Sequence, residues 1–196
     1  MKIAIALLAL PMTGCSLLSI LPPREAFIQR FALHHPNNPH ALFMEGKSYL
    51  AQNEPHKAAA RFRETLRLQP GFVEARLGLA HAYREGGSYR YARKEYRAVL
   101  DKGPANIQAL EGLANCELHM GQPQEAERLL MRALEVNSRS VSTLNAMADL
   151  FYGQRQYGKA LACWEKSLAL NPDQSQLTDL VQDLRNYVRE YGPSPK

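Results

Sequence analysis

Four prolines set the frame of this chain. Pro36, Pro70, Pro104 and Pro172 are separated by 34, 34 and twice 34 residues, and Ser138 holds the missing slot. A fixed spacing of this length marks a repeat array, in which no unit can bury its apolar face alone and neighbours must stack. The unit is clearest from Val73 to Asn106: two amphipathic helical stretches around Gly86-Gly87, closed by Pro104. Glycines between two periodic segments break the first helix, and proline stops the second from continuing. Hydrophobic residues make up 45% of the chain and charged ones 22%, enough apolar surface for a folded array rather than a disordered chain.

Registering the chain on this period gives four units without an insertion: 39–72, 73–106, 107–140 and 141–174. The eighth position holds Gly46, Ala80, Ala114 and Ala148, and the twentieth holds Ala58, Ala92, Ala126 and Ala160. Bulky groups follow at the twenty-fourth: Phe62, Tyr96, Leu130 and Trp164. Small residues let two helices approach and bulky ones fill the space beside them. The pattern resembles the tetratricopeptide repeat (TPR) family. The resemblance implies an all-α fold, a TPR superhelix (α-solenoid) of four 34-residue helical hairpins, with the first helix of each repeat lining a concave face. Two departures are expected to weaken packing: Glu45 at the seventh position of the first repeat and Glu117 at the eleventh of the third. Beyond the repeats, Leu177, Leu180, Val181, Leu184, Tyr187, Val188 and Tyr191 form one helical stripe, read as a C-terminal capping helix over 175–191 before a tail at 192–196. Phe27, Ile28, Phe31 and Ala32 suggest a half-repeat helix within 24–38.

The leader points to a membrane. Met1-Lys2 precedes an eight-residue apolar run, Ile3 to Leu10, which is the length of a signal-peptide core and too short to span a bilayer. Thr13, Gly14 and Cys15 follow, and this run resembles the bacterial lipobox, with Met12 where leucine is usual. The resemblance implies cleavage after residue 14 and lipidation of Cys15, leaving residues 15–23 as a tether. Two or more acyl chains anchor a protein stably where one does not. Ser16, rather than aspartate, follows the cysteine. The resemblance therefore implies the outer membrane, periplasmic face. The alternative is an uncleaved inner-membrane anchor, because Ile3 to Leu21 carries no charge over nineteen residues.

The concave face is the expected partner-binding surface. By the family's pattern it presents Phe43, Lys47 and Leu50 from the first repeat, His81 and Arg84 from the second, Asn115 and His119 from the third, and Asn145, Asp149 and Tyr152 from the fourth. His40, Leu77, Glu111 and Leu118 occupy the same phase. A mixed apolar and polar groove suits a helix or extended peptide of a protein partner. The carboxylate clamp of some TPR domains is not expected: Lys47 and Asn115 are present, but Gly78 and Gly112 stand where polar clamp residues are needed.

Other constellations carry less. The net charge is +5, and repeats one and two hold twelve Lys/Arg against seven Asp/Glu. Arg61, Arg63, Arg67, Arg90, Arg93, Lys94 and Arg97 fall on second helices. They read as a solvated face or as an attraction to anionic lipid or an acidic partner; no aromatic stacking platform accompanies them, so nucleic acid is not expected. His34, His35 and His40 lack carboxylate or thiol companions and suggest no metal. Cys116 and Cys163 lie on helices that should not adjoin and read as free thiols. No nucleophile motif, phosphate loop or deep pocket is expected, so neither an enzyme nor a cofactor is read.

Leader and array together resemble small TPR lipoproteins that assist pilus or secretion machines, such as type IV pilotins and the Tad-type assembly lipoprotein. Two alternatives stay open: a periplasmic adaptor for cell-wall enzymes or proteases, and an inner-membrane-anchored assembly factor.

Overall fold

The computed structural model describes residues 37–191. The leader with Cys15, the tether, His34, His35, all but the last two residues of the half-repeat stretch, and the tail lie outside the described residues. Within them there are nine α-helices and no strand: α1 Pro39–Ala51, α2 Pro55–Leu68, α3 Val73–Glu85, α4 Tyr89–Leu100, α5 Ile107–His119, α6 Pro123–Val136, α7 Val141–Gly153, α8 Tyr157–Leu170 and α9 Ser175–Tyr191. The fold is the all-α repeat class: helical hairpins followed by a C-terminal helix. No helix among the described residues is long and apolar enough to cross a membrane.

Two recurrent positions explain where the helices begin and turn. At three of the boundaries the residue just before a repeat caps the helix that opens it. Asn38 Oδ1 accepts from the His40 and Ala41 amides at 2.9 and 3.3 Å, Asn106 Oδ1 from Ala109 at 2.9 Å, and Ser140 Oγ from Thr143 at 3.3 Å. Each cap satisfies an amide that has no intrahelical acceptor. The fifteenth position, inside each hairpin, is left-handed in all four repeats: Asn53, Gly87, Gly121 and Arg155, with φ between 58° and 76°. Around it the amides of Glu54, Ser88, Gln122 and Gln156 reach back to the carbonyls of Tyr49, Tyr83, Glu117 and Phe151 at 2.7–2.9 Å. This is the six-to-one closure of a Schellman turn, which glycine adopts freely and arginine does not.

The described residues form two compact units, one ending at Ala75 and one starting at Arg76. In the first, α1 packs on α2. Ala41, Leu42, Ala58, Ala59 and Phe62 make its core. Gly46 lies against Phe62, where a β-carbon would come within 2.7 Å of the ring. In the second unit α4 packs on α5, α5 on α6 and α7, α6 on α7, α7 on α8, and α8 on the capping helix α9. Its core is built from the same phases: Ala92, Ala126 and Ala160 are wholly buried beside Tyr96, Leu130 and Trp164. Each buried Leu or aromatic there stabilises by about 1.5–3 kcal/mol over exposure.

Both acidic departures turn out to be paired rather than loosely packed. Glu45 receives Arg61 Nε at 3.2 Å and the Tyr49 hydroxyl at 3.3 Å. Glu117 is 0% exposed and faces Arg97 at 3.2 Å and Arg93 at 3.7 Å, both from α4. Gly112, read as a gap in a clamp, has a steric reason of its own. The Tyr96 ring occupies the space a β-carbon would take there.

Candidate functional site

The predicted groove residues fall into three groups, one in the first unit and two in the second. In the first, α1 presents Phe43 and Lys47 one turn apart, with Lys47 Nζ 5.8 Å from the Phe43 ring centre. Phe43 also meets Phe72 at 5.0 Å and Phe62 at 5.8 Å, and His40 meets Phe72 edge-on at 5.1 Å. Lys47 is exposed, Phe43 and Leu50 are half-buried. The strip is an aromatic floor with one cation along it, a surface for an apolar side chain flanked by a carboxylate.

In the second unit, His81 and Arg84 lie one turn apart on α3. His81 packs its ring on Tyr96 at 5.7 Å, and Arg84 pairs with Glu85 at 2.5 Å. Burial, helped by the Arg84 charge, holds His81 below the usual imidazole range, so it is neutral at pH 7. Behind them, Tyr96 is fully buried with its hydroxyl lacking a hydrogen-bond partner, and its acidity is strongly suppressed by burial. Burial likewise pushes the Cys116 thiol up to about 11, which leaves it unreactive at neutral pH. Cys116 and Cys163 are both free. Asn115 is half-buried, while the exposed His119 stacks on Tyr89 at 4.2 Å with a 7° interplanar angle.

The third group sits on α7. Asn145 donates to Gln174 at 2.9 Å, and Asp149 lies on an exposed position, its carboxyl raised by partial burial against α8 and drawn back by the Trp164 indole. Tyr152 is 44% exposed and meets Tyr157 and Trp164, each at 5.6 Å. Two residues of the groove phase serve other ends. Leu77 is buried, and Glu111 accepts from Ser142 at 2.7 Å and from Thr143, tying α5 to the start of α7.

One feature lies outside the sequence expectations. Tyr152, Tyr157, Leu180, Asp183, Leu184 and Tyr187 line an open cleft of about 420 Å³ between the last repeat and α9. No deep pocket is expected from the sequence, and this cleft is open rather than deep; the stripe on the capping helix is only partly covered. Val181 and Leu184 are buried, but Leu180 and Tyr187 are 40% and 47% exposed. The sequence signal was present in Tyr157, which stands at the first turn of its helix where two other repeats have Pro55 and Pro123.

The basic face is also reduced. Arg61, Arg67, Arg93 and Arg97 are spent on Glu45, Glu64 and Glu117. Among the described residues no group of three His, Cys, Asp or Glu gathers for a metal.

Comparison with known proteins places this geometry. Models of the tetratricopeptide repeat match residues 43–90, 77–140 and 141–174. A peroxisomal targeting signal receptor of Yarrowia lipolytica is 29% identical over 143 residues, spanning 65% of this chain and 23% of the receptor. The type IV pilus assembly protein PilF of Pseudomonas aeruginosa is 24% identical over 159 residues, spanning 79% of this chain and 62% of PilF. The chain thus spans between 20% and 62% of the length of the curated relatives it matches. The solved PilF structure superposes with a TM-score of 0.69 at 21% identity, over 81% of this chain and 78% of that one. A thermophilic TPR protein of Thermus thermophilus gives 0.71 at 18% identity, over 82% and 88%. At these identities the superpositions speak for the fold.

Proposed function

We propose, for a chain that belongs to the tetratricopeptide repeat family, that it is a lipid-anchored envelope scaffold serving the assembly of a pilus or secretion machine. Its chemistry is recognition: TPR hairpins present side chains of their first helices, which a protein partner meets as a surface. The three groups described above are what the chain offers: aromatic and cationic on α1, cationic and imidazole on α3, amide, carboxylate and phenol on α7.

The observation that carries the machine is the likeness to PilF, which runs through 79% of this chain. PilF is a type IV pilus assembly protein; the same class of task is proposed here. The leader supports the location. Its apolar core and Cys15, read as a lipobox, would fix the array at the outer membrane by acyl chains.

Deletion of the gene, followed by counting of surface pili and secretin multimers, tests the reading. Loss of either, restored by the wild-type chain and not by Lys47→Glu with Arg84→Glu, is expected. Intact pili and multimers in the deletion strain would sink it. Cys15→Ser is expected to abolish labelling by palmitate and release the chain from the outer membrane. Membrane attachment that survives this change would instead favour the uncleaved inner-membrane anchor.

A further inference from the structure

The cleft beside the capping helix has a composition unlike the rest of the surface. Three phenol rings converge on it. Tyr157 meets Tyr152 at 5.6 Å with a 55° tilt and Tyr187 at 5.5 Å with an 86° tilt. Mutually tilted rings present faces in different directions around one space. Tyr152 and Tyr187 are among the most exposed large apolar side chains of the described residues.

Charge is the second observation. Glu45, Glu54, Glu64, Glu85, Glu95, Glu117, Glu125 and Glu165 each face a lysine or arginine. Asp183, on the cleft wall, has no ion pair among the described residues. Asp149 has none either, and it stands three residues before Tyr152 on α7, hence on the same side of that helix. No lysine or arginine lines the cleft. A carboxylate without an ion pair beside electron-rich ring faces forms a site for a cation with an apolar stem.

We propose that this cleft is a docking site for an arginine-bearing segment of a protein partner, with the guanidinium against the tyrosine faces and toward Asp183. A planar guanidinium stacks on aromatic rings and is weakly hydrated, so arginine suits the cleft better than lysine. Leu180 and Leu184 supply the apolar floor for the residue next to it. The volume admits one or two side chains of an extended segment. The site rests on the scaffold reading only in that its occupant is a protein. It does not depend on which machine the chain serves, and the test measures direct binding alone.

The test uses the full chain in detergent with a defined probe, the blocked tripeptide N-acetyl-Leu-Arg-Leu-amide, and follows tyrosine ring signals by NMR. Saturable shifts confined to Tyr152, Tyr157 and Tyr187 are expected, weaker for the lysine peptide and absent for the glutamate peptide. Asp183→Asn should weaken binding roughly threefold to tenfold. Tyr187→Ala should remove it with only a small fall in melting temperature, since that ring is 47% exposed. Equal shifts from the glutamate peptide, or no tyrosine shift at millimolar peptide, would overturn the proposal. So would tyrosine shifts that depend on protein concentration without peptide, which would assign the cleft to a second copy of this chain.

Discussion

Glu45 and Glu117 stand in the same predicament and resolve it differently. Each is an acid at a position of the repeat made for an apolar side chain, and each has a glycine nearby pressed on an aromatic ring. In the first hairpin every partner is local: Arg61 comes from α2 of the same repeat, and Gly46 faces Phe62 of the same repeat. In the second unit every partner is borrowed: Arg93 and Arg97 come from the preceding repeat's α4, and Gly112 faces that repeat's Tyr96. The first set closes a hairpin; the second joins two hairpins. A buried ion pair generally stabilises no more than apolar residues of equal volume, but a missing partner is heavily penalised. The α4–α5 junction is therefore specified by which helices carry the matching groups, beyond generic stacking.

The largest expected effect comes from taking both arginines from Glu117. Arg93→Ala with Arg97→Ala leaves a carboxylate that is 0% exposed without a cation, and should cost on the order of 3 kcal/mol in urea unfolding. Arg61→Ala should cost about 1 kcal/mol or less, because that arginine is itself 42% exposed and Glu45 keeps the Tyr49 hydroxyl. Equal costs for the two changes would erase the distinction between hairpin and junction.

The glycines give the next test. Alanine normally stabilises a helix interior over glycine by about 1 kcal/mol. At Gly112 the added carbon meets the ring and hydroxyl of Tyr96, which is buried and has nowhere to move. Gly112→Ala should therefore destabilise by about 2 kcal/mol, as overpacking does. Gly46→Ala meets only ring carbons of Phe62, at 2.7–2.9 Å, and should cost less, about 1 kcal/mol. Thermal melts that show Gly112→Ala neutral or stabilising would mean that the Tyr96 ring yields, and that the junction is softer than its close packing implies.

The period itself was legible because it is written in residue types. Proline, alanine and bulky groups recur at one phase, and the alanine and bulky positions are buried. The ion-paired glutamates were not legible. Pairing depends on which side chain of a neighbouring repeat lies opposite, and Arg97 is separated from Glu117 by 20 residues and a hairpin boundary. Glu117 alone looks like a flaw. Similarly, helical spacing put Leu180 and Tyr187 on the same stripe as Val181 and Leu184. Among the described residues the capping helix packs chiefly on α8; part of its stripe stays open, and periodicity cannot say which part. The residues read as a groove lie on the first helix of each repeat, yet Leu77 and Glu111 show that phase does not decide whether a side chain is free to meet a partner.

The smallest effect tests whether hairpin and junction are separable at all. Arg155 holds a left-handed turn at φ 59°, a conformation in which Gly87 and Gly121 serve the equivalent turns. An L side chain there costs about 1–2 kcal/mol, partly offset by the greater freedom that glycine has in the unfolded chain. Arg155→Gly should thus stabilise by up to about 1 kcal/mol, read as a shift in the urea midpoint at constant slope. The informative measurement is the triple variant with Arg93→Ala and Arg97→Ala. A turn closes within its own hairpin and shares no partner with Glu117, so the effects should add to within about 0.5 kcal/mol. A larger departure would show that the turn of the fourth repeat and the α4–α5 junction respond as one cooperative block. In that case the division into local closure and borrowed contacts would describe positions but not energies.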